Sequence, residues 1–191
     1  GARVRFHQGT TEAMARIAIG ANCDAVEGES DLFPSTLMPG IRNFVRLHLE
    51  RPIAVTRDDR FVLRTYSPTI TVAGGVVLDP HPGQGRLRTK AGVSRLRRLA
   101  DTEKEALAVI VWQAGGQGIS GRALVSRVGR PLEVVREQLG SLITEGVVCQ
   151  VGDVFVAKHR IQDISSKLQK MVEEYHRDNP LGQGCLLYTS P

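Results

Sequence analysis

Six cationic side chains, Arg86, Arg88, Lys90, Arg95, Arg97 and Arg98, fall between positions 86 and 100, a stretch that contains no acid. Residues 1–85 carry nine basic and nine acidic side chains, and residues 101–191 carry ten and eleven. The formal charge of +5 therefore resides in this one segment. Such a run does no bond-making chemistry. It either forms a solvated face or binds a polyanion, releasing counterions from phosphates. Arg46, His48 and Arg64 add cations on alternating, strand-like patterns, and Arg122, Arg127 and Arg130 cluster around a short helical pattern. These twelve residues are the candidate phosphate-binding set, with a solvated face as the other reading of the charge.

Other chemistry finds little support. No G-x-x-x-x-G-K-[S/T] loop is present, and the glycine-rich stretch from Gly115 to Gly121 lacks the lysine that would reach a phosphate. No G-x-S-x-G elbow occurs, and no carboxylate pair is placed for acid–base work. No catalytic residue is expected. Cys23, Cys149 and Cys185 are odd in number and far apart, with no C-x-x-C or His/Cys cluster, so neither a zinc site nor a disulfide framework is expected. Free thiols in a reducing cytoplasm are the simplest reading. No apolar run of about 18 residues predicts a membrane span, and no signal peptide opens the chain. The first residues, Gly1-Ala2 rather than Met, suggest a fragment.

The elements that must hold these cations divide the 191 residues into two halves. In the first, Val4 and Phe6 alternate with arginines, and Gly9-Thr10 marks a turn. Thr11 to Ile19 fits either a helix or a strand by period. Glu27 to Gly40 is a polar loop. Val45, Leu47 and Leu49 form one face of a strand that Pro52 confines to an edge or end. Phe61 and Leu63 then alternate with Arg60, Val62 and Arg64, preceded by the turn signal Asp58-Asp59 and ended by Tyr66-Ser67-Pro68. Gly74-Gly75 predicts a bulge or barrel corner, and Val76 to Leu78 a last buried strand stopped by Asp79-Pro80. Short strands with Gly/Pro turns predict a small antiparallel barrel.

This block also carries a resemblance. DRFVLRTYSPTITVAGGVVLDPHP, from Asp59, resembles the third domain of the selenocysteine-specific elongation factors, relatives of elongation factor Tu. The family's arginine, Tyr-Ser-Pro, glycine cluster and Leu-Asp-Pro stand here as Arg64, Tyr66-Ser67-Pro68, Gly74-Gly75 and Leu78-Asp79-Pro80. Ala73 replaces a further glycine. VRLHLERPIAV, from Val45 to Val55, also fits. The resemblance covers roughly residues 3–183. It implies that Thr11 to Ile19 is a strand, that the barrel follows the domain 3 pattern of elongation factor Tu, and that Tyr66, Pro68, Gly74, Gly75, Asp79 and Pro80 are structural. It implies selenocysteyl-tRNA as the partner of the barrel, with GTP and magnesium held by an upstream domain absent from this chain.

The second half reads as a winged helix from pattern alone. Thr102 and Glu105 form a capping box before Leu107, Ile110, Val111 and Ala114. Ser120 caps a second helix with Leu124 and Val128, Gly129-Arg130 turns the chain, and Pro131 suits the first position of the third helix. Leu132, Val135, Leu139, Leu142 and Ile143 are its expected buried face. Gly146 stops it, and Gly152-Asp153 turns a hairpin between Val147–Val151 and Val154–Ala157. Ile161, Ile164, Leu168, Met171 and Tyr175 define a further amphipathic helix. The expected layout is a β-barrel domain over 1–85, a basic linker or helix over 86–100, a winged helix over 101–159, and over 160–191 the start of a second winged helix with a disordered tail. Tyr175 to Leu181 resembles the start of that second module in the same family.

The third helix exposes Glu133, Arg136, Glu137, Gly140, Ser141 and Thr144, a poor surface for phosphate and without a base-reading Asn or Gln. A spacer role is the better reading. By resemblance, distal winged helices would bind the messenger RNA insertion hairpin. The leading expectation is a piece of a cytoplasmic GTP-dependent factor delivering selenocysteyl-tRNA to the ribosome, with no membrane association. A winged-helix DNA-binding regulator and a structural adaptor without nucleic-acid binding stay open as alternatives.

Overall fold

The computed structural model describes residues 2–178 apart from Glu27, Glu29 and Gln84. The tail 179–191, the end of the Tyr175–Leu181 motif and Cys185 lie outside the described residues, as does the middle of Gly83-Gln84-Gly85.

Five strands, β1 (Arg3–Gln8), β2 (Thr11–Asn22), β3 (Asn43–Leu49), β4 (Arg60–Arg64) and β5 (Thr71–Val76), form one antiparallel sheet in the order β3-β2-β1-β4-β5. The sheet curls into a half-barrel. Alternation decides its faces. Val4, Phe6, Ala13, Ala15, Ile17 and Leu63 point inward and are buried. Val45, Leu47, Leu49 and Phe61 pack against that core. The intervening Arg3, Arg5, Arg16, His48, Arg60 and Arg64 therefore project from the opposite face. Thr11 to Ile19 is strand, the pairing β1–β2 overriding the ambiguous period.

Two expectations for the glycine block need correction. Gly74-Gly75 carries no bulge. Both pair in register with Val62 and Phe61, and the register shift falls between Leu63 and Arg64, opposite Ala73 and Thr71. What Gly75 supplies is clearance, since a Cβ there would sit 2.5 Å from the Phe61 ring. Val76 does not begin a buried strand. It ends β5 and is 47% exposed, while Val77 bonds to the backbone of Asp58 and Asp59 beside the Asp58 turn.

The basic segment is not a loose linker. Lys90–Ala100 is helix α1, with the Thr89 hydroxyl accepting from the Gly92 amide at 3.0 Å. Val93 is buried with Ala21, Ala25, Leu32 and Phe44 of the barrel. Leu99 is buried with the winged-helix core, and Leu96 touches both clusters. One amphipathic helix thus seals two cores at once.

The winged helix comprises α2 (Glu103–Gln113), β6 (Ile119–Ser120), α3 (Gly121–Val128), α4 (Leu132–Thr144), β7 (Val148–Val151) and β8 (Val154–Ala157), with the sheet order β6-β8-β7. Thr102 and Ser120 cap α2 and α3 through their hydroxyls. Gly129 closes α3 in the left-handed conformation, at φ 64°, against Thr56 of the barrel. Helix α2 departs from a simple stripe. Ala106 through Val111 are all buried, because α1, α4 and β8 surround it. Pro131 stands one position outside α4 as its cap, with extended ψ of 147°. Ile143 is 38% exposed and does not join Val135, Leu139 and Leu142 in the core. Helix α5 (Lys158–Asp178) runs on from β8. It buries no residue among those described, and Ile164, Leu168 and Val172 remain exposed.

Candidate nucleic-acid interface

The structure divides the candidate cations into those that bind the protein itself and those that face outward. The first group is the larger surprise. Arg46 leaves the outer sheet face to donate to the Gly83 and Gly85 carbonyls at 2.9 and 3.0 Å. Arg88 donates to the Phe33 and Pro34 carbonyls at 2.6 and 2.9 Å and lies over the Phe33 ring. Arg97 donates to the Ala25 carbonyl. Arg98 pairs with Glu105 at 2.8 Å. Arg130 pairs with Asp58 and Glu103. Arg127 forks onto Asp79 at 2.7 and 2.6 Å and also reaches the His81 carbonyl and Gln113. Arg88 and Arg97 of the charge run thus tie the α1 segment to barrel loops, and Arg127 and Arg130 do the same for α3, as a forked guanidinium is suited to do.

Arg95 belongs with this group. Its guanidinium packs on the Gly85 backbone. Burial, then the neighbouring charge of Arg46, lowers its pKa from the ordinary arginine value, and Asp79 partly offsets this. A half-buried cation pressed by a second one is held by the fold rather than offered to solvent.

Arg86, Lys90 and Arg122 are exposed and make no ion pair among the described residues. They lie apart, in the segment before α1, at its first residue and in the first turn of α3.

The outer face of the curled sheet brings more together. Cross-strand register sets His48 beside Arg16, Arg16 beside Arg3, and Arg5 beside Arg64. Directly opposed residues lie within about 4.5–5.5 Å at Cβ. Arg3 and Arg5 each take a carboxylate, Glu50 and Glu12. Both also sit over the Tyr66 ring, at 5.8 and 5.2 Å from its centroid, and that ring is 57% exposed. Arg16, Arg60 and Arg64 have no ion pair among the described residues. The arrangement is a run of cations with one aromatic, built on a rigid sheet, able to hold a phosphate backbone without reading bases. Sequence reasoning missed Arg3, Arg5, Arg16 and Arg60 as members. Alternation with Val4, Phe6 and Phe61 was the available signal. What could not be read was the register that aligns them.

Among the described residues, no group of three or more His, Cys, Asp or Glu side chains could hold a metal ion. No described helix is long and apolar enough to cross a membrane. Cys23 and Cys149 are free thiols, and burial raises the Cys23 pKa. On the winged helix, the outward residues of α4 are Glu133, Arg136, Glu137, Gly140, Ser141 and Thr144, all exposed. Two carboxylates beside one arginine make a weak groove reader.

Comparison with known proteins bears on the barrel and on the fold. Residues 2–84 match the family model for the β-barrel domain of selenocysteine-specific elongation factors. The chain is 24% identical, over 184 residues, to the selenocysteine-specific elongation factor of Desulfomicrobium baculatum, covering 95% of this chain and 27% of that protein. It also resembles the crystal structure of a bacterial selenocysteine-specific elongation factor, with a TM-score of 0.64 at 17% identity, over 94% of this chain and 25% of the other. That structural likeness bears on fold, a half-barrel followed by a winged helix. The chain spans about a quarter of the length of both proteins. Residues 2–84 are therefore similar to the β-barrel domain of selenocysteine-specific elongation factors, and the chain as a whole is similar to a protein of that name.

Proposed function

We propose that the outer face of the half-barrel holds the sugar–phosphate backbone of selenocysteyl-tRNA, and that the winged helix is a rigid spacer rather than a reader. The observation that carries this is the alignment of His48, Arg16, Arg3, Arg5 and Arg64 across neighbouring strands of one face, with Tyr66 among them. Phosphate contacts of this kind fix orientation while leaving sequence unread. An A-form stem suits them, because its major-groove base edges lie deep while its phosphates and 2′-hydroxyls are exposed.

In the whole factor this module would serve GTP-dependent delivery of selenocysteyl-tRNA to the ribosome in the cytoplasm. GTP and magnesium would be held by a domain outside residues 1–191. Contact with the messenger RNA insertion hairpin would come from winged helices beyond this one. The exposed acids of α4, Glu133 and Glu137, disfavour the reading as a DNA-binding regulator.

Filter binding of tRNA at several salt concentrations tests the proposal. Arg16→Gln combined with Arg64→Gln should weaken binding. It should also flatten the slope of log K against log salt by about 0.7–0.9 for each phosphate no longer neutralised. Parent-like binding and slope in this double variant would remove the sheet face from the RNA site.

A further inference from the structure

Trp112 is the chain's single tryptophan, and it stands at the end of a helix whose preceding residues, Ala106 through Val111, are all buried. It is nevertheless 43% exposed. An indole left in water forgoes apolar burial that the adjacent core could have provided, and its N–H donates no hydrogen bond among the described residues. Its neighbours come from the first turn of α5. His159 lies nearly parallel to it, with ring centroids 6.4 Å apart and an interplanar angle of 25°. The Arg160 guanidinium lies 5.6 Å from the Trp112 centroid, within cation–π range. The Arg160 Nε is buried without a hydrogen-bond partner, and the guanidinium's one ion pair among the described residues runs from Nη1 to Asp163, at 4.0 Å. Trp112 and His159 open onto a shallow cleft of about 310 Å³, floored by Ala108, Val147 and Ala157 and edged by Arg98. Lys158, the residue before His159, places its Nζ beside Gly146. Neither Lys158 nor His159 is ion-paired among the described residues, whereas Arg98 is held by Glu105.

We propose that Trp112, with His159 and Arg160, is a stacking site for an unpaired RNA base, with Lys158 facing the adjoining phosphates. The combination of a planar aromatic floor and a cationic rim is the recognition chemistry of single strands. The ring takes any base face, and the cations take the backbone. A duplex hides its base faces in the stack, so it cannot use the indole. The site is separate from the sheet face and from helix α4. It would give the winged helix a contact with single-stranded RNA that owes nothing to a recognition helix.

The lone tryptophan makes the test direct. The 191-residue chain is titrated with a labelled eight-nucleotide oligoadenylate, following label anisotropy and tryptophan emission together. Saturable quenching that tracks the anisotropy is expected, with no comparable quenching by a blunt-ended RNA duplex. Trp112→Phe should bind within a few-fold of the parent. Trp112→Leu should bind about tenfold more weakly or worse, as loss of one stacked base implies. Lys158→Gln should flatten the salt slope by about 0.7, and its melting temperature reports whether the fold is intact. Oligoadenylate binding without quenching, parent-like binding by Trp112→Leu, or no binding at all would overturn it. So would equal quenching by an acidic peptide or by inorganic polyphosphate, the first assigning the cleft to a protein partner and the second to bare phosphate.

Discussion

Asp79 receives both arms of the Arg127 guanidinium, at 2.7 and 2.6 Å, across the boundary between barrel and winged helix. Asp79 keeps 4% of its side-chain exposure and Arg127 12%. With Arg57 N–H donating to the Arg127 carbonyl, and Gly129 against Thr56, this pair fixes α3 on the barrel. Removing one partner strands a buried charge. Asp79→Ala or Arg127→Met should therefore cost about 3–5 kcal/mol. The double variant should cost clearly less than the sum of the two single ones. Urea unfolding of the four proteins measures this, and simple additivity would show that the pair is not coupled.

The two adjacent glycines of β5 should respond differently to the same change. At Gly75 a methyl group meets the Phe61 ring at 2.5 Å, and that ring is stacked on Phe6 at 5.1 Å and cannot simply swing away. At Gly74 the nearest atom is the Phe61 carbonyl oxygen at 3.4 Å. Gly75→Ala should cost about 1–3 kcal/mol, as overpacking does. Gly74→Ala should stay within about 0.5 kcal/mol of the parent. Thermal melts of both variants decide it, and equal melting temperatures would remove the argument from clearance.

The internal arginines predict stability effects rather than RNA effects. Arg46 and Arg97 donate to carbonyls of residues 37 to 72 positions away. Replacing either by Gln should lower the melting temperature while leaving the salt slope of tRNA binding unchanged. The reverse pattern, an unaltered melt with a flatter slope, would return these residues to the RNA surface.

The ion pair of Arg3 and Glu50 has a definite sign with pH. The Arg3 side-chain hydrogen bond holds the Glu50 pKa below the ordinary glutamate value. Burial opposes this, and the charge of Arg3 reinforces it. A carboxylate whose pKa is depressed by folding contributes stability above its unfolded pKa and loses that contribution as pH falls through the folded value. Carboxyl-carbon NMR titration should therefore place Glu50 below an ordinary glutamate. Arg3→Met should move it back up. An unmoved midpoint in that variant would show the pair is not formed in solution.

The absence of a phosphate loop from the sequence predicts that these residues do not bind GTP by themselves. Calorimetric titration of the chain with GTP and magnesium should give no saturable heat. A micromolar site would locate nucleotide binding within residues 1–191.

The sequence by itself determined the local elements. Alternation at Val4/Phe6 and Phe61/Leu63 dictates strands, and the hydroxyls of Thr102 and Ser120 and the glycines at 129 and 146 punctuate the helices. All of these act over a few residues, so periodicity and capping chemistry suffice to read them. The family block from Asp59 was legible for the same reason, because its turns sit at fixed spacings. The fate of the arginines was not legible. Arg88 reaches a carbonyl 55 residues away, Arg97 one 72 away and Arg127 a carboxylate 48 away. A long, forked cation reads identically in sequence whether it meets phosphate, solvent or a distant carbonyl. Only the tertiary structure decided which, by folding the basic segment into a helix wedged between two cores. It also left Arg16, Arg60, Arg64 and Trp112 facing outward.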